Sequence, residues 1–546
     1  MAIERPMRRT LLTAVFICSL AAPRAQQAVL PPDIRAAADR ITAAQLAKDL
    51  AFLASDELAG RNTPSPGYDT AARFIVERLR KAGVRPLGDD GTYFQRYEMH
   101  EARVDTAETW LEVDGRRFEF GSDVVMRSFA GPVGGAKGAV YVGHGWVVEA
   151  KGIDPFAGLD LKGKLVIAHG PRALPAGTEI EQIGRVTPGA SSVVTEAAKR
   201  GAAAVIYIPQ ASALENWERS RDQGLTRKEL MPPVPSAYAA APVTSVLLSR
   251  AATEALFAGE AHAGARLLEQ GDARDYPPSF ELKKQVTLNV DAVTTVHRPY
   301  NVVGLIEGSD PVLRDQYLTI ESHLDGAVGT RTVDGDAIYN SADDNASGSA
   351  ANLQIAEHIG ATRPKRSLIF IWDSGEEQGL WGTRHFVGNP PVPLERIVAH
   401  INIDMIGASR KPGSADAADD RVTKFNEVKL IGPGVLSASV DALLQRVNEA
   451  YLKMAFDRSW DKADSEFFYP RTDAGPFLER GILTIGFTTG IHDRYHLPAD
   501  EAEALDPAKM ETIARTIFAS IWALADVQPR PAIDRGIPAT VPRLHR

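Results

Sequence analysis

Tyr317-Leu318-Thr319-Ile320-Glu321-Ser322-His323-Leu324-Asp325 is the stretch that decides the fold: a short apolar run that ends in metal-binding residue types. The pattern occurs twice more. Leu368-Ile369-Phe370-Ile371-Trp372 runs into Gly375-Glu376-Glu377, and Ile397-Val398-Ala399-His400-Ile401-Asn402-Ile403 ends in Asp404. Runs this short and apolar read as strands buried on both faces of a sheet. Sites in open α/β sheets form beyond the carboxyl ends of the strands. The spacing therefore predicts one crevice that receives His, Asp and Glu side chains from several strand ends. Between the first two runs, Ser341-Ala342-Asp343-Asp344-Asn345-Ala346-Ser347-Gly348 makes a tight polar turn that opens a helix, with Ala351, Ile355 and Ile359 on one face.

Outward from this centre the chain is too long for one ordinary core. Its 546 residues predict two or more domains. The formal net charge of -9 argues against nucleic-acid binding, which normally carries a basic footprint. Residues 1–25 have the pattern of a secretory signal: Arg5, Arg8 and Arg9, an apolar run over 11–22, then small residues to Ala25. The apolar run is too short for a stable membrane span. The expectation is export to the periplasm or the medium, with no stable membrane anchor after cleavage. Cys18 is the only cysteine and lies inside that segment, so the mature chain is expected to have no disulfide.

Residues 31–115 begin a globular unit. Ala71, Phe74, Ile75, Leu79 and Ala82 repeat at helical spacing, and Gly83 is placed as a stop. From 116 to 285 the texture changes to short strand-like runs between glycines, such as Gly138-Ala139-Val140-Tyr141-Val142-Gly143, and this stretch reads as an inserted, β-rich domain. It contains no convergent catalytic set. His144 and His169 are expected to be hydrogen-bonded structural residues. From 286 to 526 the first unit resumes, with a strand at 301–306, helices over 440–453 and from 507 to about 525, and a buried strand at 481–487 that precedes His492 and His496. Residues 527–546 form a Pro-rich tail that is expected to be poorly ordered.

Taken one by one, the donors have ordinary explanations. Asp343 and Asp344 suit a helix cap, and Glu376-Glu377 suits a solvated turn. Asp404 is harder, because a lone carboxylate in an apolar run is costly to bury unpaired. Together they supply two histidines, three carboxylates and a spare glutamate that can take a proton from water. A mixed nitrogen and oxygen set suits zinc, with cobalt or manganese as substitutes. Asp325 follows His323 closely enough to orient its ring. Two metals about 3.5–4 Å apart that share a carboxylate are a known hydrolase arrangement. The sequence has no G-x-S-x-G, no G-x-x-x-x-G-K-[ST] and no H-E-x-x-H, which removes the usual markers of serine hydrolases, phosphate-loop enzymes and single-zinc proteases.

At this point the residues resemble the co-catalytic zinc aminopeptidase family, which includes secreted bacterial leucyl-type aminopeptidases and their glutamate carboxypeptidase relatives. The matching pieces are Asn301-Val302-Val303-Gly304, His323-Leu324-Asp325, residues 342–348, Glu376-Glu377-Gln378-Gly379-Leu380, Asn402-Ile403-Asp404-Met405 and Tyr495-His496. The resemblance implies a three-layer α/β/α peptidase domain with a mixed central sheet, acting on peptide substrates. It implies that Asp344 bridges two zinc ions, one also bound by His323 and Asp404, the other by Glu377 and His496. It further implies that Glu376 is the general base, Asp325 orients His323 and Tyr495 steadies the tetrahedral intermediate. In the family the Asp344–Asn345 bond is often cis. The inserted stretch resembles the protease-associated domain through residues 158–164 and 201–208, and a gating role without chemistry is expected of it. Ser322, Thr383 and Arg471-Thr472-Asp473-Ala474 depart from the family pattern. An aminopeptidase is the leading expectation. A carboxypeptidase acting on acidic C-termini, a glutaminyl cyclase and a non-catalytic relative are the alternatives.

Overall fold

The computed structural model describes residues 30–544 except 137, 171–172, 180–188, 227, 232–242, 328, 330–331 and 414–420. The expected signal segment and Cys18 lie outside the described residues. A nine-stranded mixed sheet carries the site. At its centre four strands run parallel, in the spatial order Ser367–Asp373, Tyr317–His323, Ile397–Ile403 and Leu483–Thr488. Their apolar runs are buried on both faces. Because all four point the same way, their carboxyl ends open on one edge, where His323, Asp373 and Asp404 emerge. Tyr300–Ile306 and Glu427–Ile431 flank them antiparallel.

Helices cover both faces. Pro66–Lys81, Gly348–Ile359 and Pro507–Asp526 bury their apolar stripes in one large core with Ile320, Phe370 and Ile401. On the opposite face Phe386 and Phe477 pack on Val303, Ile369 and Ile371. The helix Pro66–Lys81 starts where Ser65 Oγ accepts the Tyr68 N–H at 3.1 Å and ends before Gly83 at φ +74. Ala71, Ile75 and Leu79 are buried as the spacing predicts, whereas Phe74 is half-buried and Ala82 is exposed. The tail does not behave as expected. Val541 is buried in the main core, and Asp534 accepts the N–H groups of Ala438 at 2.8 Å and Ser439 at 3.0 Å. An acidic side chain at those unpaired helix-start amides docks the segment despite its prolines.

Between Met99 and His297 the chain builds separate sheets and cores. Met99–Val104 pairs antiparallel with Ala292–His297, where the chain leaves and returns. A six-stranded sheet and a four-stranded sheet follow, with cores drawn from residues 102–290. Trp110–Val113 and Val286–Val290, which lie just outside the 116–285 stretch, pair with each other in the four-stranded sheet. Among the described residues no helix is long and apolar enough to cross a membrane.

Candidate metal centre

The turn over 341–348 is held from below and behind. Arg61 is fully buried, and its guanidinium donates to the carbonyls of Leu53, Leu324, Asn340 and Ser341. Burial lowers its pKa to about 10, against the pull of Asp325, Asp500 and Asp344. Asp500 accepts the backbone N–H groups of Asp343 at 3.1 Å and Asp344 at 3.2 Å. Asn345 donates to the Ile403 carbonyl at 2.9 Å and accepts from Met405 N at 3.2 Å, which locks the turn to the strand end that carries Asp404. A side chain at Gly348 would place a Cβ 2.4 Å from the Ile403 carbonyl oxygen, so this contact requires glycine. The Asp344–Asn345 peptide is cis.

These contacts separate the two adjacent aspartates. Asp343 turns inward, where Oδ1 accepts from Gly407 N at 2.7 Å and from Ser347 Oγ at 2.9 Å. Asp344 turns outward between two histidines. Its Oδ1 lies 3.1 Å from His323 Nε2, and its Oδ2 lies 3.0 Å from His496 Nε2. Asp404 Oδ1 is 3.5 Å from His323 Nε2, and Glu377 Oε2 is 3.0 Å from His496 Nε2. The result is two groups of three donors that share one carboxylate: His323, Asp344 and Asp404, and Asp344, Glu377 and His496. All five metal-ligand candidates from the sequence thus come together.

The electrostatics show what the arrangement lacks. Glu377 Oε1 and Asp404 Oδ1 are buried without a hydrogen-bond partner among the described residues. Burial, then the charge on Asp344, pushes the Glu377 carboxyl up to about 8. Burial also pushes Asp404 and Glu376 up. Burial opposes charge on Asp344 as well, but the hydrogen bonds from His323 and His496 hold it well below the usual carboxylate range. Likewise Asp344 and Glu377 raise His496 to about 10 although burial works against it. Buried carboxylates that repel each other across two imidazoles fit divalent cations, which would supply the positive charge that protons otherwise provide.

Asp325 is buried beside His323. Its carbonyl oxygen lies 3.1 Å from His323 Nδ1, and its carboxylate lies 3.9 Å away. An Nδ1–H donated to that carbonyl leaves Nε2 free to face Asp344 and Asp404. Glu376 lines a cavity together with Asp344 and Asp404. Ile431, Trp460, Phe467, Phe468, Phe487 and Ile491 make the rest of that cavity mainly apolar. Tyr495 also lines it; its Oη accepts from Arg471 at 2.9 Å, and its ring stacks on His496 at 3.7 Å.

Arg61, Asp500 and Arg471 were outside the sequence-derived site. Their local signals were a cation in Ala59-Gly60-Arg61 and an acid four residues after His496, but their partners are hundreds of residues distant or across a loop. His144 and His169 stand apart from both donor groups. His169 Nε2 lies 2.8 Å from Tyr141 Oη, and His144 Nδ1 accepts the Trp146 N–H at 3.0 Å.

The sequence model of peptidase family M28 matches residues 301–521, the stretch that carries every donor above. An aminopeptidase of Pseudomonas aeruginosa (strain UCBPP-PA14) is 30% identical over 207 residues, covering 38% of this chain and 34% of the relative. A probable zinc metalloprotease of Pyrenophora tritici-repentis (strain Pt-1C-BFP) is 30% identical over 261 residues, covering 42% of this chain and 58% of the relative. The chain therefore spans about a third of the length of the first of these relatives. The solved aminopeptidase from Aneurinibacillus sp. strain AM-1 superposes with a TM-score of 0.53 at 18% identity, covering 94% of this chain and all of that one, which shows a shared fold. Through residues 301–521 the chain is similar to peptidase family M28.

Proposed function

We propose that the protein is an exported dizinc exopeptidase, an aminopeptidase that removes N-terminal residues with large apolar side chains. The observation that carries this reading is Asp344, one carboxylate presented to two three-donor groups at the edge of an apolar cavity. His323, Asp344 and Asp404 would hold one ion, and Asp344, Glu377 and His496 the other. When bound, the ions supply Lewis acidity toward the scissile carbonyl and toward a water. The rest falls to the chain. Glu376 takes a proton from the attacking water and delivers it to the departing amine. The Tyr495 hydroxyl accepts a hydrogen bond from Arg471, which directs its own hydrogen away from Arg471 for donation to the developing oxyanion. The apolar wall formed by Trp460, Phe468 and Phe487 takes the side chain of the residue to be released.

A carboxypeptidase would need a cation free to hold the substrate carboxylate. Arg384 is buried against Glu479 at 3.3 Å, Arg494 pairs with Asp493 at 3.3 Å, and Arg471, which lines the cavity, is engaged by Glu466 at 3.5 Å and by Tyr495 Oη at 2.9 Å; Arg331 lies outside the described residues. This supports the aminopeptidase reading. The stretch from 116 to 285 is assigned to a protease-associated domain that limits substrate size, and residues 1–25 to an export signal. Zinc content and hydrolysis of leucyl-, phenylalanyl- and alanyl-p-nitroanilides, measured beside C-terminally glutamylated peptides, test the proposal. Zinc with release of bulky N-terminal residues is expected. Cleavage confined to the glutamylated peptides would overturn it.

A further inference from the structure

Near the His323–Asp404 pair, the chain buries three more carboxylates. Glu321 lies two residues before His323, Asp373 ends the adjacent strand, and Asp473 precedes the helix Ala474–Glu479. None is more than 1% exposed. One oxygen from each lies within 4.8 Å of the others.

Neutral groups supply few of the hydrogen bonds around them, and Glu321 and Asp373 are close enough to share one with each other. Asn402 Nδ2 donates to Glu321 Oε2 at 2.9 Å. Thr383 Oγ1 lies 3.1 Å from Asp373 Oδ2 and 2.6 Å from Asp473 Oδ1. A hydroxyl has one hydrogen, so it serves only one of these two oxygens at a time. Among the described residues no N–H or hydroxyl donor reaches Glu321 Oε1, Asp373 Oδ1 or Asp473 Oδ2. A second observation comes from outside the cluster. His400 is fully buried, its Nε2 has no hydrogen-bond partner among the described residues, and that nitrogen lies 3.7 Å from Glu321 Oε2. Buried carboxylates without a counter-charge are among the costliest groups a core can hold. A proton joins oxygens two at a time, whereas oxygens from three chain segments gathered round one point suit a cation.

We propose that Glu321, Asp373 and Asp473 form a cation site separate from the two donor groups around Asp344, selective for a hard divalent ion such as Mg²⁺ or Mn²⁺. An oxygen-only donor set favours such ions. The ion would tie two central strands to the segment before Ala474, with Asp373 on the strand beside His323. The site does not depend on the proposed reaction.

Mn²⁺ is the probe. Anomalous diffraction from crystals of the full chain equilibrated with Mn²⁺ should show a peak between the three carboxylates, apart from any beside Asp344. No peak there at saturating Mn²⁺ overturns the proposal and leaves the cluster held by protons. In solution, Asp473→Asn should lose one equivalent of Mn²⁺ per chain and retain what the Asp344 groups bind, and Asp344→Asn should retain the equivalent held by the cluster. Equal Mn²⁺ content in unmodified and Asp473→Asn chains also overturns it. The crystal measurement decides the matter should the variant fail to fold.

Discussion

Asp325 holds Glu376 by its main chain: the Asp325 Oδ1 accepts the Glu376 N–H at 3.2 Å. The same residue steadies His323 through its carbonyl rather than its carboxylate. One short segment therefore fixes both a metal-ligand candidate and the proposed base. Asp325→Ala removes the acceptor for Glu376 and should lower kcat about 10–100-fold, the usual effect of losing such a supporting contact. Asp325→Asn keeps an oxygen acceptor and should lose less. Steady-state kinetics with zinc content measured on both variants checks this. Equal losses would assign the effect to the charge instead.

Arg61 should matter for stability more than its place in the sequence suggests. Its guanidinium satisfies the carbonyls of Leu53, Leu324, Asn340 and Ser341 inside the core. Arg61→Ala leaves these acceptors buried and unpaired, at a cost of at least about 3 kcal/mol given the worth of hydrogen bonds to charged groups. Arg61→Lys should recover part of it. Urea denaturation of the metal-loaded protein measures both.

Much of this was legible because strand ends announce themselves. An apolar run that stops at His323, or holds a lone Asp404, has few explanations other than a buried strand that meets a cation. Asp343 and Asp344 are chemically identical in sequence. Only Gly407, Ser347 and the two histidines tell them apart. Asp500 and Arg61 were illegible because their partners are backbone groups brought near by the fold. Thr383, noted as a departure from the family pattern, shows its partners Asp373 and Asp473 only when one strand and two helices are assembled. The tail misled because prolines signal disorder locally, whereas the packing of Val541 is a long-range event.

Cavity size should set substrate choice. A Cβ on Gly486 would lie 3.5 Å from Ile431 Cβ, an ordinary contact, so a larger side chain there extends into the cavity without displacing backbone. Gly486→Leu should lower kcat/KM for leucyl and phenylalanyl substrates about 10–200-fold, the scale on which apolar pockets discriminate, and spare alanyl substrates. A profile across the three p-nitroanilides checks it. Uniform loss would place the substrate side chain elsewhere.

Removing metal should reshape the pH dependence of stability. Glu377, raised by burial and by Asp344 from 4.5 to about 8, contributes stability that is present below 4.5 and lost as pH rises through 8. His496, raised against burial by Asp344 and Glu377 from 6.5 to about 10, contributes stability that is present below 6.5 and lost on the way to 10. Both slopes have the same sign. The Tm of metal-stripped protein should therefore fall between about pH 5 and 9, while the zinc-loaded protein changes much less, since zinc replaces the protons. Calorimetry of both forms across that range would show parallel curves if these groups did not face a metal.

The neighbouring glutamates Glu376 and Glu377 do different work in the proposed reaction, and one pair of variants tests it. Zinc content and kcat are to be measured on Glu376→Gln and Glu377→Ala. Glu376→Gln should retain its zinc, with KM little changed, and lose about 10²–10⁴-fold in kcat, the usual worth of general-base assistance. Glu377→Ala should lose zinc and activity together. Loss of zinc from Glu376→Gln with retention by Glu377→Ala would contradict this assignment.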